Sequence, residues 1–183
     1  DDVPITHVTN GVHLPTWMAS EMYQLCEKHT GISFEENHDN QKFCEKISEI
    51  PEAQLWQTHQ ELKRKLFHII LEKVQQRWAN GTGNAEQAIA MGALLDSDAL
   101  TIGFVRRFVE YKRPTLLFQD IERLKKIVSD TWRPVQIVFA GKSHPADFPS
   151  KHLIHQVYSM ALNRDFQGRV AFIEDYDIHI AHY

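Results

Sequence analysis

The sequence has few cysteines and no apolar run that could cross a membrane. Its two cysteines, Cys26 and Cys44, lack the spacing of a metal-ligand motif. Two isolated thiols favour a reducing compartment over a disulfide-bonded secreted scaffold. No apolar stretch reaches the roughly 20 residues of a transmembrane helix. Residues 1–4, Asp-Asp-Val-Pro, lack the charged and apolar regions of a signal peptide. We therefore predict a cytoplasmic location.

A strong excess of charge of either sign is also missing. The chain has 20 lysines and arginines against 24 aspartates and glutamates, which gives a net charge of −4 at pH 7. Such a balance provides no general attraction for nucleic acid or for an acidic membrane, and we predict neither as a partner. With 183 residues, 43% of them hydrophobic, the chain is long and apolar enough for a real core.

A helical pattern dominates residues 1–98. We predict an extended entry over residues 1–17, with Thr16 as the N-cap of a helix that stops at Gly31. The polar residues 33–50 predict a loop with a short helix at most. After Pro51, core-type residues recur at three- and four-residue spacing and predict one long helix. These residues are Leu55, His59, Leu62, Leu66, Ile69, Ile70, Val74 and Trp78.

From residue 99 the pattern alternates between strand and helix. Short apolar runs predict three buried strands, Leu100–Val105, Val135–Ala140 and Arg169–Ile173. Amphipathic helices are predicted between them, from Pro114 to Ser129 and from about Pro149 to Leu162, and a last helical start follows residues 174–177. Connections of this length require parallel strands with right-handed crossovers. The predicted fold class is therefore α/β, with residues 99–183 forming an incomplete Rossmann-like βαβαβ unit.

Four cations follow the first predicted strand within eight residues. They are Arg106, Arg107, Lys112 and Arg113, and Pro114 comes directly after them. If Pro114 opens the next helix, the cations lie where a strand ends and a helix begins. Ligands bind at that edge of an open α/β sheet, and a helix N-terminus there attracts anions. The cluster predicts phosphate as the ligand, and the alternative is a solvated basic loop.

Four blocks of sequence resemble the α-glucan (glycogen) phosphorylases. They are TNGVHLPTW at 9–17, GFVRRFVEYKR at 103–113, FAGKSHPAD at 139–147 and VAFIEDY at 170–176. Their order is that of the family. The chain resembles the short bacterial and archaeal branch most, because GKSHPAD at 141–147 and EDYD at 174–177 differ from the corresponding sequences of the long animal and yeast enzymes. The resemblance implies a segment at the start of the C-terminal Rossmann-like half of a two-domain glycosyltransferase fold. Such enzymes cleave terminal α-1,4 bonds of a glucan with inorganic phosphate and release glucose 1-phosphate.

The resemblance also implies roles at the reacting bond. Arg107 would grip the substrate phosphate, and Lys112 would lie between the substrate phosphate and the phosphate of the cofactor, pyridoxal phosphate. Asn10 and Tyr111 would contact the glucose at the cleavage point. Two phosphates held close together need several cations to offset their repulsion, and the cluster supplies them.

Three further residues would line the cofactor pocket by the same resemblance: Arg106, Trp17 and Tyr176. Judged from the residues alone, Trp17 is a helix anchor in the core and Tyr176 a buried ring with a bonded hydroxyl. Those alternatives stay open. Asn10, taken by itself, is only a turn residue.

The family pattern further predicts that this chain is an inactive fragment. The Schiff-base lysine of the family lies beyond the third strand, and the N-terminal half that closes the glucan cleft is also outside the chain. We therefore expect an exposed apolar edge beside Arg169–Ile173, which would drive self-association or bind the missing remainder.

Two other functions remain open. A nucleotide-sugar glucosyltransferase such as glycogen synthase shares the fold and also uses an Arg and a Lys after a comparable strand, although the doubled arginine and Tyr-Lys-Arg favour a phosphorylase. A non-enzymatic module that binds glucan or a partner is the other. No metal is predicted, because the pairs His152/His155 and His179/His182 lack a cysteine or carboxylate to complete a site.

Overall fold

The protein, described here from a computed structural model, is defined over residues 5–33, 40–166 and 168–183. Parts of the predicted entry segment (1–4) and of the predicted polar loop (34–39) lie outside these ranges. The helices before the first strand are α1 (Leu14–Trp17), α2 (Ser20–Thr30), α3 (Gln41–Ile47), α4 (Glu52–Ala79) and α5 (Ala85–Ala90). They are followed by β1 (Leu100–Val105), α6 (Ile121–Val128), β2 (Val135–Ala140), α7 (Phe148–Ala161), β3 (Val170–Ile173) and α8 (Ile178–Ala181).

Helix α2 ends as predicted, but it begins differently. Gly31 adopts the left-handed conformation (φ 64°) that commonly terminates a helix. The prediction of Thr16 as its N-cap is wrong. Pro15 starts the separate turn α1 earlier, so that Thr16 lies inside α1, with its hydroxyl 2.6 Å from Nδ1 of His13. Ala19, which has no side-chain cap to offer, precedes α2 instead.

The long helix is confirmed, whereas its buried stripe is shorter than the pattern predicts. Helix α4 has 28 residues and is therefore about 42 Å long, roughly twice the length of a six-residue strand. Only its central turns, at Leu62, Phe67 and Ile70, are buried. Leu55 and Trp78, near the two ends, are exposed.

The three strands form one parallel sheet in the order β1-β2-β3. This confirms the predicted α/β fold class with a Rossmann-like sheet. One face packs against α6 and α7 through an apolar cluster that includes Leu124, Phe139 and Val157. The opposite face packs against α4, where Phe67 and Ile70 meet Val138, Ala140 and Ile173. The sheet thus has helices on both faces, as parallel sheets require.

The prediction that β1 is buried is wrong. Leu100 is 63% exposed and Ile102 is 43% exposed, whereas all four residues of β3 are buried. Strands β1 and β3 each pair with β2 alone among the described residues, but only β1 is largely exposed, so its outer edge is open. Helices α5 and α7 pack against β3 and cover it. The expected exposed apolar edge beside Arg169–Ile173 therefore lies at β1 instead.

Residues 114–129 do not form one helix. A 3₁₀ turn covers Leu116–Phe118, and α6 begins only at Ile121. The cause is Asp120, whose carboxylate accepts a hydrogen bond from the backbone N–H of Arg123 and so provides a new N-cap. Pro114 is buried and opens no α-helix. The cations before it lie at a strand end, but not at a helix N-terminus as predicted.

The remaining connections follow the prediction closely. Helix α7 differs from the predicted range by one residue at each end. Helix α8 begins after Asp177, whose carboxylate accepts a hydrogen bond from the N–H of Ile180. Within the described ranges, none of the helices combines the length and apolar character needed to cross a membrane.

Candidate functional site

The cations after β1 lie on a loop that is tied to the neighbouring strand. We call residues 106–113 the basic loop. The N–H of Arg106 donates to the carbonyl of Ala140 (3.1 Å), and the N–H of Phe108 donates to the carbonyl of Lys142 (3.0 Å). The β1–β2 pairing therefore continues past the strand ends, and the basic loop runs beside the loop that follows β2.

Gly141 allows these two loops to approach closely. A Cβ atom at this position would lie 2.0 Å from the carbonyl oxygen of Arg106 and 3.1 Å from the ring of Phe108. No other residue fits there without moving backbone. Gly141 thus sets the spacing between the basic loop and the β2 loop.

Phe108 anchors the basic loop in the core. Its ring is fully buried, with centroid distances of 5.8 Å to both Phe104 and Phe172. The adjacent side chains of Arg106 and Arg107 are exposed. The sequence patterns did not predict that Phe108 anchors the loop, although an aromatic residue between two arginines and a Tyr-Lys-Arg run could have indicated it.

A 3₁₀ turn, Glu110–Lys112, presents the far end of the basic loop. Within it, Nζ of Lys112 lies 4.9 Å from the centroid of the Tyr111 ring, in a cation–π contact. Tyr111 is 76% exposed. Arg113 adopts a left-handed conformation (φ 50°) before Pro114, whose ring disfavours the right-handed helical conformation for the residue before it.

The four cations of the basic loop have no carboxylate within ion-pair distance among the described residues. Their charges are therefore not neutralised by the segment itself. Cationic groups on an anchored loop, of which Arg106, Arg107 and Arg113 are exposed, can bind an anion, and a guanidinium can bind phosphate through two parallel hydrogen bonds.

The turn after β3 lies at the same edge of the sheet. Glu174 forms an ion pair with Arg77 of α4. Asp175 has a left-handed backbone (φ 54°). Tyr176 packs against the cluster that contains Ile173 and Ile180. Burial raises the pKa of the Tyr176 hydroxyl, and the negative charge of Asp177 raises that pKa further.

A cavity of about 560 Å³ opens between the β2 and β3 loops. Its wall is largely apolar, with Ile154 and Phe172 among its residues, and also carries charged or polar side chains: Lys142, Ser143, Lys151, His155, Tyr158, Glu174 and Asp175. The carboxyl edge of the sheet thus combines the basic loop with an adjacent cavity, which is the arrangement expected of a ligand site in an open α/β sheet.

The structure brings together most of the predicted site residues. The basic loop contains Arg106, Arg107, Tyr111 and Lys112. Tyr176 follows β3, which lies two strands from β1, so that the two strand backbones are about 10 Å apart.

The other two predicted residues, Asn10 and Trp17, are not brought into this group. Asn10 lies in the exposed segment 5–13. Trp17 is also exposed and lines neither the cavity beside the β3 turn nor a second cavity of about 430 Å³ formed between Met18 and His179. No group of three possible metal-ligating side chains occurs in the described part of the chain.

Comparison with known proteins agrees with this architecture. The family model for carbohydrate phosphorylase matches residues 3–183. A glycogen phosphorylase from Aquifex aeolicus is 48% identical over 180 residues, which is 98% of this chain and 26% of that protein. A maltodextrin phosphorylase from Thermococcus litoralis is 35% identical over 178 residues, 97% of this chain and 21% of that protein.

A third relative, a glycogen phosphorylase from Mycobacterium tuberculosis, is 35% identical over 181 residues, covering 99% of this chain and 21% of that protein. The chain thus spans about a quarter or a fifth of the length of these curated relatives. Because the family match extends over nearly every residue, the chain belongs to the carbohydrate phosphorylase family.

Proposed function

We propose that a longer protein containing this segment cleaves terminal α-1,4 bonds of an α-glucan with inorganic phosphate and releases glucose 1-phosphate. The observation that carries the proposal is the basic loop, whose four cations have no ion-pair partner among the described residues and lie at the carboxyl edge of a parallel sheet. The relatives named for glycogen and maltodextrin support an α-glucan as the second substrate.

In this proposal the basic loop binds the substrate phosphate. Arg107 offers a bidentate fork to two phosphate oxygens, and Lys112 supplies a compact charge between two phosphate groups. The cation–π contact of Lys112 with Tyr111 supports a shared position for the phosphate and the glucose. Asn10 would contact the same glucose in the longer protein.

We further propose that the segment forms part of a pyridoxal phosphate pocket. The cofactor, when bound, supplies a phosphate group beside the substrate phosphate. The cationic edge fits such a group, and Arg106, Trp17 and Tyr176 would hold the cofactor. The Tyr176 hydroxyl, like any ordinary tyrosine hydroxyl, is protonated at neutral pH and can donate a hydrogen bond to phosphate. The Schiff-base lysine would come from outside these 183 residues.

The organisation and partners of the segment are proposals as well. The change from helices to a parallel sheet supports a division of the segment between residues 98 and 99, and the segment as a whole would span the start of the C-terminal half of a two-domain glycosyltransferase. The open edge of β1 would pair with the remainder of the longer protein, and in its absence would promote self-association. We place the protein in the cytoplasm, with neither nucleic acid nor membrane as a partner.

Product analysis tests the proposed reaction. The longer protein is incubated with a maltooligosaccharide and inorganic phosphate, and separately with a nucleotide sugar and the same acceptor. We expect phosphate-dependent glucose 1-phosphate, and we expect neither this product nor a pyridoxal absorbance band from the 183-residue chain. Glucosyl transfer from the nucleotide sugar without phosphate would overturn the proposal in favour of a synthase.

A further inference from the structure

Arg77 joins three separate elements at the carboxyl edge of the sheet. It lies in the last turn of α4, and its guanidinium pairs with Glu174, which is 97 residues away in sequence. The same guanidinium lies 3.8 Å from Sδ of Met91, directly after α5. The Arg77 and Glu174 side chains are only 37% and 27% exposed. A partly buried ion pair of this kind is screened by solvent less than a surface pair.

The turn that this pair contacts is strained. We call residues 174–176 the β3 turn. Its central residue, Asp175, has φ 54°, a conformation that residues with a Cβ atom rarely adopt unless the surroundings hold them there. On one side the turn is held by the Glu174–Arg77 pair. On the other side Tyr176 packs against Ile173 and Ile180.

We propose that Arg77 is a positioning residue for the ligand-binding edge: its ion pair with Glu174 holds the β3 turn in its strained form and so fixes the Tyr176 ring. The hold on the turn follows from contacts within the chain. Only the consequence for cofactor binding rests on the proposed function. Arg77 touches no reacting atom in this account and acts through Glu174.

A second ion pair provides a matched control. Arg164 and Glu86 are 2.7 Å apart and link α5 to the segment that precedes β3, at the opposite edge of the sheet. Their side chains are 88% and 62% exposed. Arg164→Met therefore removes an arginine from an ion pair of the same type without touching the β3 turn.

Tyr158 reports on the proposed ion pair in the 183-residue chain. It lines the cavity with Glu174, and the other titratable residues of the cavity wall are Lys142, Lys151, His155 and Asp175. Burial chiefly raises the pKa of its hydroxyl, the charge of Glu174 raises that pKa further, and Arg77 lowers it.

NMR titration of chain labelled at tyrosine Cζ measures this pKa. We expect Arg77→Met to raise the pKa of Tyr158, Glu174→Gln to lower it, and Arg164→Met to leave it unchanged. An unchanged Tyr158 titration in both Arg77→Met and Glu174→Gln would overturn the ion-pair assignment.

In the longer protein the readouts are the rate of pyridoxal phosphate release, the KM for phosphate and the melting temperature. A displaced Tyr176 should speed release on the order of 10- to 100-fold in Arg77→Met, with Arg77→Lys recovering part of the loss and Arg164→Met none of it. Release as slow in folded Arg77→Met as in Arg164→Met would overturn the positioning role.

Failure of the proposed reaction itself would instead appear as no phosphorolysis by the unaltered protein, while the Tyr158 titrations kept their predicted order.

Discussion

Arg107 and Phe108 are neighbours in sequence but lie in opposite environments. Phe108 is fully buried among aromatic rings, and Arg107 remains in solvent. Burying the ring supplies apolar contact that the cations cannot provide, and it leaves the guanidinium free to bind an anion. The stability of the loop and its proposed capacity to bind phosphate are thus carried by different residues.

We predict that Arg107→Ala in the longer protein impairs the use of phosphate. Loss of a charge-assisted fork to phosphate should cost about 2–5 kcal/mol, as for truncating one partner of a buried charge pair. The measurement is kcat/KM for phosphate at saturating glucan, with bound cofactor quantified. Arg133→Ala is the control, because Arg133 is exposed and lies in the connection before β2, at the opposite edge of the sheet. If Arg107→Ala kept the phosphate dependence of the unaltered protein, Arg107 would not belong to the site.

Gly141→Ala should destabilise the chain and displace the basic loop. The added methyl group would meet the carbonyl oxygen of Arg106 at 2.0 Å, so the two backbones must separate. We expect a loss of more than about 1 kcal/mol in the free energy of unfolding, measured with denaturant. Gly103→Ala is the matched control, since its added Cβ atom would meet only Val105, at 3.7 Å. Equal stability of the two variants would contradict the close approach.

For the individual elements, local sequence patterns predicted whether a segment is a helix or a strand better than they predicted what surrounds it. Helix α4 and strands β2 and β3 could be predicted from periodicity and composition, because these properties belong to the segment itself and do not depend on the elements packed against it. Strand β1 is mostly apolar, as β2 is, yet it is exposed, because burial depends on which elements lie beside a strand. The helix predicted from Pro114 begins only at Ile121, because the Asp120 carboxylate provides the N-cap. Periodicity does not indicate which of two possible start positions a helix uses.

Helix α7 depends on an N-cap whose contribution changes with pH. Hydrogen bonds to Asp147 from the Ser150 hydroxyl (2.6 Å) and backbone N–H (3.0 Å) lower the pKa of the Asp147 carboxyl. A lowered folded-state pKa stabilises the protein above the unfolded pKa of about 3.9, and that contribution is lost as the pH falls through the folded value.

Asp147→Ala should therefore lower the free energy of unfolding at pH 7, and the difference from the unaltered chain should shrink below about pH 4. Denaturant titrations at several pH values provide the measurement. Asp147→Asn is the control, because asparagine also caps helices but does not titrate in this range. A difference that stayed constant from pH 7 to pH 3 would contradict the role of the carboxylate.

In the whole molecule, the candidate site combines residues that are adjacent in the sequence and residues that are far apart in it. The basic loop is contiguous, so its four cations could be predicted as a cluster. The Arg77–Glu174 pair joins residues 97 positions apart and depends on where α4 crosses the sheet, which no local pattern reports. Asn10 and Trp17 stay apart from the cluster because their segment has few contacts with the sheet.

The open edge of β1 should make the isolated chain self-associate. Exposed apolar side chains beside unpaired backbone groups favour pairing with another chain. We expect light scattering at low micromolar concentration to show oligomers, and Ile102→Lys to reduce them without lowering the helix content. Leu55→Lys, at an exposed apolar position on α4 far from β1 in sequence, should not reduce them. A monomer at all concentrations would contradict this assignment of the edge.

The central claim is that the basic loop binds phosphate, and an NMR titration of the 183-residue chain with inorganic phosphate tests it most directly. Chloride at matched ionic strength is the reference, since an unspecific charge effect would respond to both salts. We predict saturable chemical-shift changes of the backbone amides of residues 106–113 with phosphate only, and we expect Arg107→Ala to abolish these changes. Equal shifts with both salts, or larger phosphate shifts at the basic positions Arg64 and Lys65 of α4, would contradict it.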